Sequence, residues 1–514
     1  MATSGSRRSA AAWQLASSYT GATLALVKGF VFIPLYFRFF DLATYGAYLA
    51  SANVVGLLGV LDIGIGAALL QRLAFSCGRG DDVGFARTAG AGAATMGCTA
   101  FLIATIGWAI ADYVPGWIHA PEASVSALAL TFGLSALGTA ALVLYQGVLN
   151  VPAAWQNPAV IAISRLGAQV TEIVVVLWGL FGGLGIVALG WGTLSGGIFG
   201  LVVSLTFVGN KWRNRGLPFP WPDWASLRWL FGVGIPTMLS RMAEQVASNL
   251  TVALVSRFLG PSQAAVYAIT EKTLRVTQGF IIPIIGSALG GLAHLMGERG
   301  PSALLSPLRE LRGLYTLVVS VLVPAVLVIN RDLIALWIGA EKYGGTLLSS
   351  MVAMSVMVLC HFLFVSYTAV AVGQVRSSAT LTTMEALFRV PLMFVGLIAW
   401  GPPGMVVGAS VGYALLSLFA FPGVIGRGIG LAKSVAAATT GDGLVAQMVT
   451  LLLAVLAAYL SPVASGWFAL FVKGLLASLA LLVVTISLNP SARSQLSKGR
   501  ARLGRLRRRS TSDK

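Results

Sequence analysis

A chain of 514 residues with 57% hydrophobic and only 10% charged residues cannot be an ordinary soluble protein, which carries about 25% charged residues. A mean hydropathy of +0.84 means that lipid must cover much of the surface. The formal charge of +18 looks like a nucleic-acid signal, but much of it is gathered in Arg493, Lys498, Arg500, Arg502, Arg505, Arg507, Arg508, Arg509 and Lys514. Beside a bilayer, such a run is a cytoplasmic anchor on anionic headgroups, so no nucleic-acid partner is expected.

Uncharged apolar runs long enough to cross ~30 Å of hydrocarbon recur along the chain. They do not alternate over ~10-residue segments as barrel strands do. The expected fold class is therefore all-α, a polytopic membrane protein of about 14 transmembrane helices. The first six spans are Tyr19–Phe40, Gly46–Phe75, Thr88–Ala111, Val125–Asn150, Asn157–Leu180 and Leu184–Gly209. The next six are Arg228–Ser256, Ala264–His294, Leu314–Ile338, Leu347–Gly373, Thr380–Trp400 and Gly404–Gly426. Gly443–Ser461 and Gly466–Leu488 form a further pair. Arg7-Arg8 has the look of a twin-arginine signal, but the apolar run after it is too long and contains Lys28, so a retained first span is expected.

Charge placement agrees with this count. With the N-terminus inside, 24 of the 35 basic residues fall in cytoplasmic segments and only Arg38, Arg257, Arg331 and Lys342 fall outside. Both ends are then cytoplasmic. The expected organisation is a cytoplasmic N-terminus (1–18), an N-terminal six-helix bundle (19–209), a cytoplasmic linker (210–227), a C-terminal six-helix bundle (228–426), an extra helix pair (443–488) and a basic tail (489–514).

An internal repeat supports two bundles. Arg38, Phe39 and Tyr48 recur as Arg257, Phe258 and Tyr267, each at an offset of 219. Gly66 and Leu69 recur as Gly286 and Leu289 at 220, and Gly185-Ile-Val recurs as Gly404-Met-Val at 219. Six spans per half place both copies in one membrane orientation, the parallel-repeat case.

Ionisable groups inside spans carry the chemistry, because each costs several kcal/mol unless paired or wetted. The basic ones are Lys28, Arg165, Arg241, Lys272, Arg275, Arg389 and Lys473; the acidic ones are Asp62, Glu172, Glu244, Glu271 and Glu385. Helical spacing offers pairs at Arg241/Glu244, Glu271/Arg275, Glu385/Arg389 and Arg165/Glu172. Lys28, Lys272 and Lys473 have no acid at such spacing on their own helix, and Asp62 is the one acid left over. Lys473 is expected to snorkel to the outer surface. Arg241, Glu244, Gln245, Ser248 and Asn249 share one face of the seventh span. Tyr267, Thr270, Glu271, Arg275 and Gln278 share one face of the eighth. Polar faces at membrane depth must look at water or protein. A wet, net positive chamber between the halves is expected, and a phosphate or diphosphate is its natural guest. Cys77, Cys98 and Cys360 lack metal spacing, His119, His294 and His361 stand apart, and no cofactor or metal is expected.

Phe32-Ile-Pro-Leu-Tyr-Phe-Arg38-Phe-Phe, Tyr45-Gly-Ala-Tyr48 and Leu61-Asp62-Ile-Gly64-Ile-Gly66-Ala-Ala-Leu69 resemble the opening of Wzx-type polysaccharide flippases. These belong to the multidrug/oligosaccharidyl-lipid/polysaccharide exporter superfamily. Gly234-Ile-Pro236, Arg257-Phe-Leu-Gly-Pro261 and Val266-Tyr267-Ala resemble the matching second-half segment. The resemblance implies two six-helix bundles, a cationic cavity, alternating access and a non-enzymatic transporter of the bacterial cytoplasmic membrane. Its implied cargo is a polyprenyl-diphosphate-linked oligosaccharide, with a polysaccharide polymerase and a chain-length regulator as protein partners. Lys28, Arg165, Arg241, Lys272, Arg275 and Arg389 would neutralise the diphosphate. Asp62, Glu172, Glu244, Glu271 or Glu385 would couple movement to a cation or proton. Lipid II flippases, which share the fourteen-span count, are one alternative. A multidrug exporter of the same fold is another, though its cationic cargo calls for more acids than bases in the spans.

Overall fold

The computed structural model describes residues 28–59, 65–490 and 493, with the backbone alone at some positions, Arg241 and Glu244 among them. Asp62, the N-terminal 1–27 and most of the basic tail lie outside the described residues.

Every described element is helical. In chain order these are α1 (28–36), α2 (Leu42–Leu58), α3 (Ile65–Arg79), α4 (Asp82–Ile110), α5 (Val114–Trp117), α6 (Val125–Ala154), α7 (Pro158–Phe181), α8 (Val187–Asn214) and α9 (Trp224–Leu259). Then come α10 (Pro261–Arg299), α11 (Leu305–Ile338), α12 (Gly345–Ala371), α13 (Val375–Leu415), α14 (Phe421–Ile429), α15 (Lys433–Gly441), α16 (Leu444–Leu460) and α17 (Trp467–Leu488). Among the described residues, nine helical stretches are long and apolar enough to cross a membrane. Helix starts follow local chemistry. Asp41, Asp81 and Asp223 accept hydrogen bonds from the backbone N–H of Thr44, Gly84 and Ser226. Asn157 caps α7, with Pro158 at its first turn.

The chain forms two compact units, one up to Ala265 and one from Val266. In the first, α6 is the central helix, packed by α2, α3, α4 and α8. Its contact with α8 depends on absent side chains: a methyl on Gly197 would sit 2.8 Å from the carbonyl oxygen of Gly138. Small residues let backbones approach in lipid, where no hydrophobic force drives helices together. The seventh expected span, α9, packs on α2, α3 and α4 of this unit.

In the second unit α11 is the hub for α12, α16 and α17. Two arginines clamp α16 along it. Arg312 Nε donates to the Asp442 carbonyl (2.8 Å) and Arg331 Nη2 to the Ser461 carbonyl (3.2 Å). The arginines lie 19 residues apart, and so do their acceptors, so α11 and α16 run parallel. Nineteen helical residues rise about 28 Å, close to the hydrocarbon thickness. α13 is broken at Trp400–Gly401, where Gly401 adopts φ 66°, a conformation that favours glycine. The chain then doubles back, and a methyl on Gly396 would meet the Gly404 carbonyl oxygen at 2.1 Å. The break falls between the expected eleventh and twelfth spans.

Candidate functional site

In the first unit the polar chemistry collects on one side of α7. Lys28 of α1 reaches Glu172 of α7, Nζ to Oε1 at 2.5 Å, with side chains 27% and 28% exposed. Ile163, Val170, Val174 and Phe181 form an exposed apolar stripe on α7. Glu172 is nine residues from Ile163, about two and a half turns, so it points the other way. Arg165, exposed and two turns before Glu172, shares that opposite side and makes no ion pair among the described residues. Exposed Arg165 and the partly exposed Glu172–Lys28 pair, opposite an exposed apolar stripe, need water on one side and lipid on the other.

The surroundings of Glu172 are built for close approach. Gly192 and Gly196 of α8 lie beneath it, and a methyl on Gly196 would be 3.2 Å from its Cβ. Tyr36 and Tyr48 lie within electrostatic reach of its carboxylate. The Tyr36 and Tyr45 rings meet tilted at 6.0 Å and those of Tyr45 and Tyr48 tilted at 6.5 Å, an aromatic wall along α1 and α2. Tyr145 of α6 lies within reach of Arg165, and its hydroxyl is buried without a hydrogen-bond partner among the described residues.

The second unit holds two same-helix pairs, one of them deeply buried. Arg275 Nε donates to Glu271 Oε1 at 2.5 Å, and Tyr267 Oη donates to the same oxygen at 2.9 Å. Arg389 Nη2 donates to Glu385 Oε2 at 3.0 Å, both side chains almost fully buried. Arg389 lies 4.7 Å over the Tyr413 ring, and Tyr413 also lies within electrostatic reach of Arg275. Tyr413 thus joins the two pairs into one cluster. Lys272 is half-buried on α10.

Of the expected same-helix pairs, Glu271/Arg275 and Glu385/Arg389 form. Arg165/Glu172 does not, because Lys28 takes Glu172 from a neighbouring helix. The side chains of Arg241 and Glu244 lie outside the described set. Lys473 does not simply snorkel: its Nζ donates to Asp332 Oδ2 at 2.7 Å as well as to the Pro462 carbonyl. Asp332 is fully buried and also faces Arg331 at 3.5 Å. Sequence reasoning passes over this acid, although it falls inside the expected ninth span. His119, which stands apart in the sequence, meets Arg257 Nη1 at 2.7 Å through its ring Nε2.

The all-α architecture, with charged residues inside its apolar helices, shares the fold of solved MATE transporters. The structure matches an inward-facing multidrug resistance MATE family transporter of the MOP superfamily at TM-score 0.60 and 15% identity, over 75% of this chain and 91% of that one. It matches the Vibrio cholerae MATE transporter VcmN at 0.57 and 17%, over 83% and 98%. An outward-facing MATE family transporter matches at 0.56 and 16%, over 84% and 99%. No curated protein matches the sequence. The family model described as "Polysaccharide biosynthesis protein" matches residues 13–289, more than half of the chain. The chain belongs to that family, as a multi-pass membrane flippase or exporter.

Proposed function

We propose that the protein turns a polyprenyl-diphosphate-linked oligosaccharide from the cytoplasmic to the outer leaflet of the bacterial cytoplasmic membrane, for cell-surface or exopolysaccharide synthesis. The observation that carries this reading is the charged side of α7, with exposed Arg165 and the partly exposed Glu172–Lys28 pair, set opposite an apolar stripe. The barrier to moving such a lipid is desolvation of its sugar hydroxyls and phosphates. A wet, cationic cavity opening alternately to each side removes that barrier without covalent chemistry. Lys28, Arg165, Arg241, Lys272 and Arg275 are assigned to the diphosphate. Arg389, held against Glu385 and Tyr413, is assigned there only after its pair opens. Asp62, Glu172, Glu244, Glu271 and Glu385 are assigned to ion or proton coupling. Both termini are assigned to the cytoplasm, and a polysaccharide polymerase and a chain-length regulator are assigned as protein partners.

Charge reversal tests the reading. Lys28→Glu and Arg241→Glu should each abolish polymer export while the protein inserts at normal levels. Full export by both variants removes the cationic-cavity mechanism. A multidrug reading draws on the named activity of the structural neighbours. It requires that overproduction raise drug resistance, and the excess of basic over acidic residues within the expected spans weighs against it.

A further inference from the structure

The second unit carries an apolar groove of about 390 Å³ between α12, α16 and the junction of α13 with α14. Met354, Met357 and His361 line it from α12, and Gln447, Leu451 and Val455 from α16. Each set falls on one face of its helix. The third wall includes Ser417 and Leu418, in a π-helical turn over Leu416–Ala420, a rare distortion that recurs at functional sites. Met448, Leu452 and Leu418 are exposed, so the groove opens sideways toward lipid. Lys272, Arg275 and Arg389, the bases of this unit assigned to the cargo, do not line it.

The polar groups of the groove gather at one end. Tyr315 of α11 bonds the Cys360 carbonyl and Asn330 bonds Ser349, so α12 runs antiparallel to α11 and hence to α16. His361 and Gln447 therefore lie together near the start of α16, and Met354 and Val455 lie toward its far end. His361 is 5% exposed and Gln447 4%, yet His361 Nδ1 and Gln447 Nε2 have no hydrogen-bond partner among the described residues. Arg312 lies behind this end, within electrostatic reach of His361 and 5.0 Å over the Phe364 ring. Its Nε is held by the Asp442 carbonyl, but Nη1 and Nη2 are buried without a partner among the described residues. The Asp442 carboxylate is within electrostatic reach and forms no ion pair with it among the described residues.

Buried polar groups at membrane depth need acceptors. A groove walled by Met and Leu is a poor host for water, which needs several polar partners. A lipid supplies acceptors and apolar bulk in the required order. Arg312 is level with the end of α16, where a headgroup phosphate lies. Gln447 is one turn inside, where ester carbonyls lie. Val455 is eight residues further, about 12 Å of acyl chain. We infer that this groove binds one anionic phospholipid of the surrounding bilayer, with its phosphate drawn by Arg312, its ester oxygens against His361 and Gln447, and one chain along α12 and α16. The lipid is a resident of the second unit and not the cargo, so the inference stands whichever cargo is carried.

The test is native mass spectrometry of the detergent-purified, delipidated full chain titrated with phosphatidylglycerol or phosphatidylcholine, beside Gln447→Leu, Leu451→Trp and Arg312→Gln. Wild type should take up one phosphatidylglycerol at least about tenfold more tightly than phosphatidylcholine, the worth of one charged hydrogen bond. Gln447→Leu and Leu451→Trp, which remove a donor and fill the groove, should each weaken phosphatidylglycerol about tenfold. Arg312→Gln should erase the preference between the two lipids. Equal affinity of wild type for both lipids overturns the anionic guest. Unchanged binding by both Gln447→Leu and Leu451→Trp overturns the site. Displacement of phosphatidylglycerol by farnesyl diphosphate, a short polyprenyl diphosphate, makes the groove a cargo site and overturns the resident lipid. If Arg312→Gln fails to fold, the other two variants and the lipid preference of wild type decide.

Discussion

In the first unit Glu172 meets its base across two helices, with a quarter of each side chain exposed. In the second unit Glu271 and Glu385 meet bases one turn along their own helices, and Asp332 is sealed completely between Arg331 and Lys473. A pair within one helix moves as a rigid body with it and reports nothing about helix position. A pair between two helices breaks when they separate. A sealed pair cannot separate without leaving a buried charge. The second unit therefore uses its charges to fix geometry, and the first presents one that can be exchanged.

Removing an acid from each unit puts a scale on this contrast. Asp332→Ala should cost the most, about 3–5 kcal/mol, because Lys473 is left partly buried without its counter-ion. Replacing both partners with Asp332→Leu and Lys473→Met should recover most of that loss. Thermal unfolding in detergent reads both, and a stable Asp332→Ala protein would mean that α17 is not held on α11 by this pair. Glu385→Gln should follow at about 3 kcal/mol, since Arg389 is buried beside it. Glu172→Gln should cost below about 1 kcal/mol, in keeping with a pair that solvent reaches. Equal losses at Glu385 and Glu172 would erase the distinction between the units.

How much of this is legible in the sequence depends on distance along the chain. Glu271/Arg275 and Glu385/Arg389 follow from helical spacing alone, and the break at Trp400–Gly401 follows from two glycines and two prolines in one short stretch. The apolar runs announce the helical class for the same reason, since each span's composition is a local property. Lys28–Glu172 and Asp332–Lys473 join residues more than 140 positions apart, and no local pattern encodes such a partner. Pairing each charge only with its own helix makes Lys28 a free lysine, Glu172 a partner of Arg165 and Lys473 a snorkelling lysine, and none of the three holds. Arg312 and Arg331 look like loop charges in the sequence, yet both clamp backbone carbonyls at the ends of α16. The diphosphate cargo comes from family resemblance and not from spacing, and Arg241, Glu244 and Asp62 rest on sequence alone.

The mildest substitution isolates function from fold on the charged side of α7. Arg165 is exposed and makes no ion pair among the described residues. Arg165→Gln removes no folded-state pairing, so unfolding should move by no more than about 0.5 kcal/mol. It does remove one of two cations at the end of the face nearest Glu172. A charged hydrogen bond to a phosphate is worth about 1.5–3 kcal/mol, so farnesyl diphosphate affinity should fall about tenfold or more. The order of the two readouts matters. Lost affinity with unchanged stability makes Arg165 a ligand-facing cation. Lost stability with unchanged affinity would make it a strut against α6 through Tyr145, and would leave Lys28 as the ligand-facing base of the α1–α7 face.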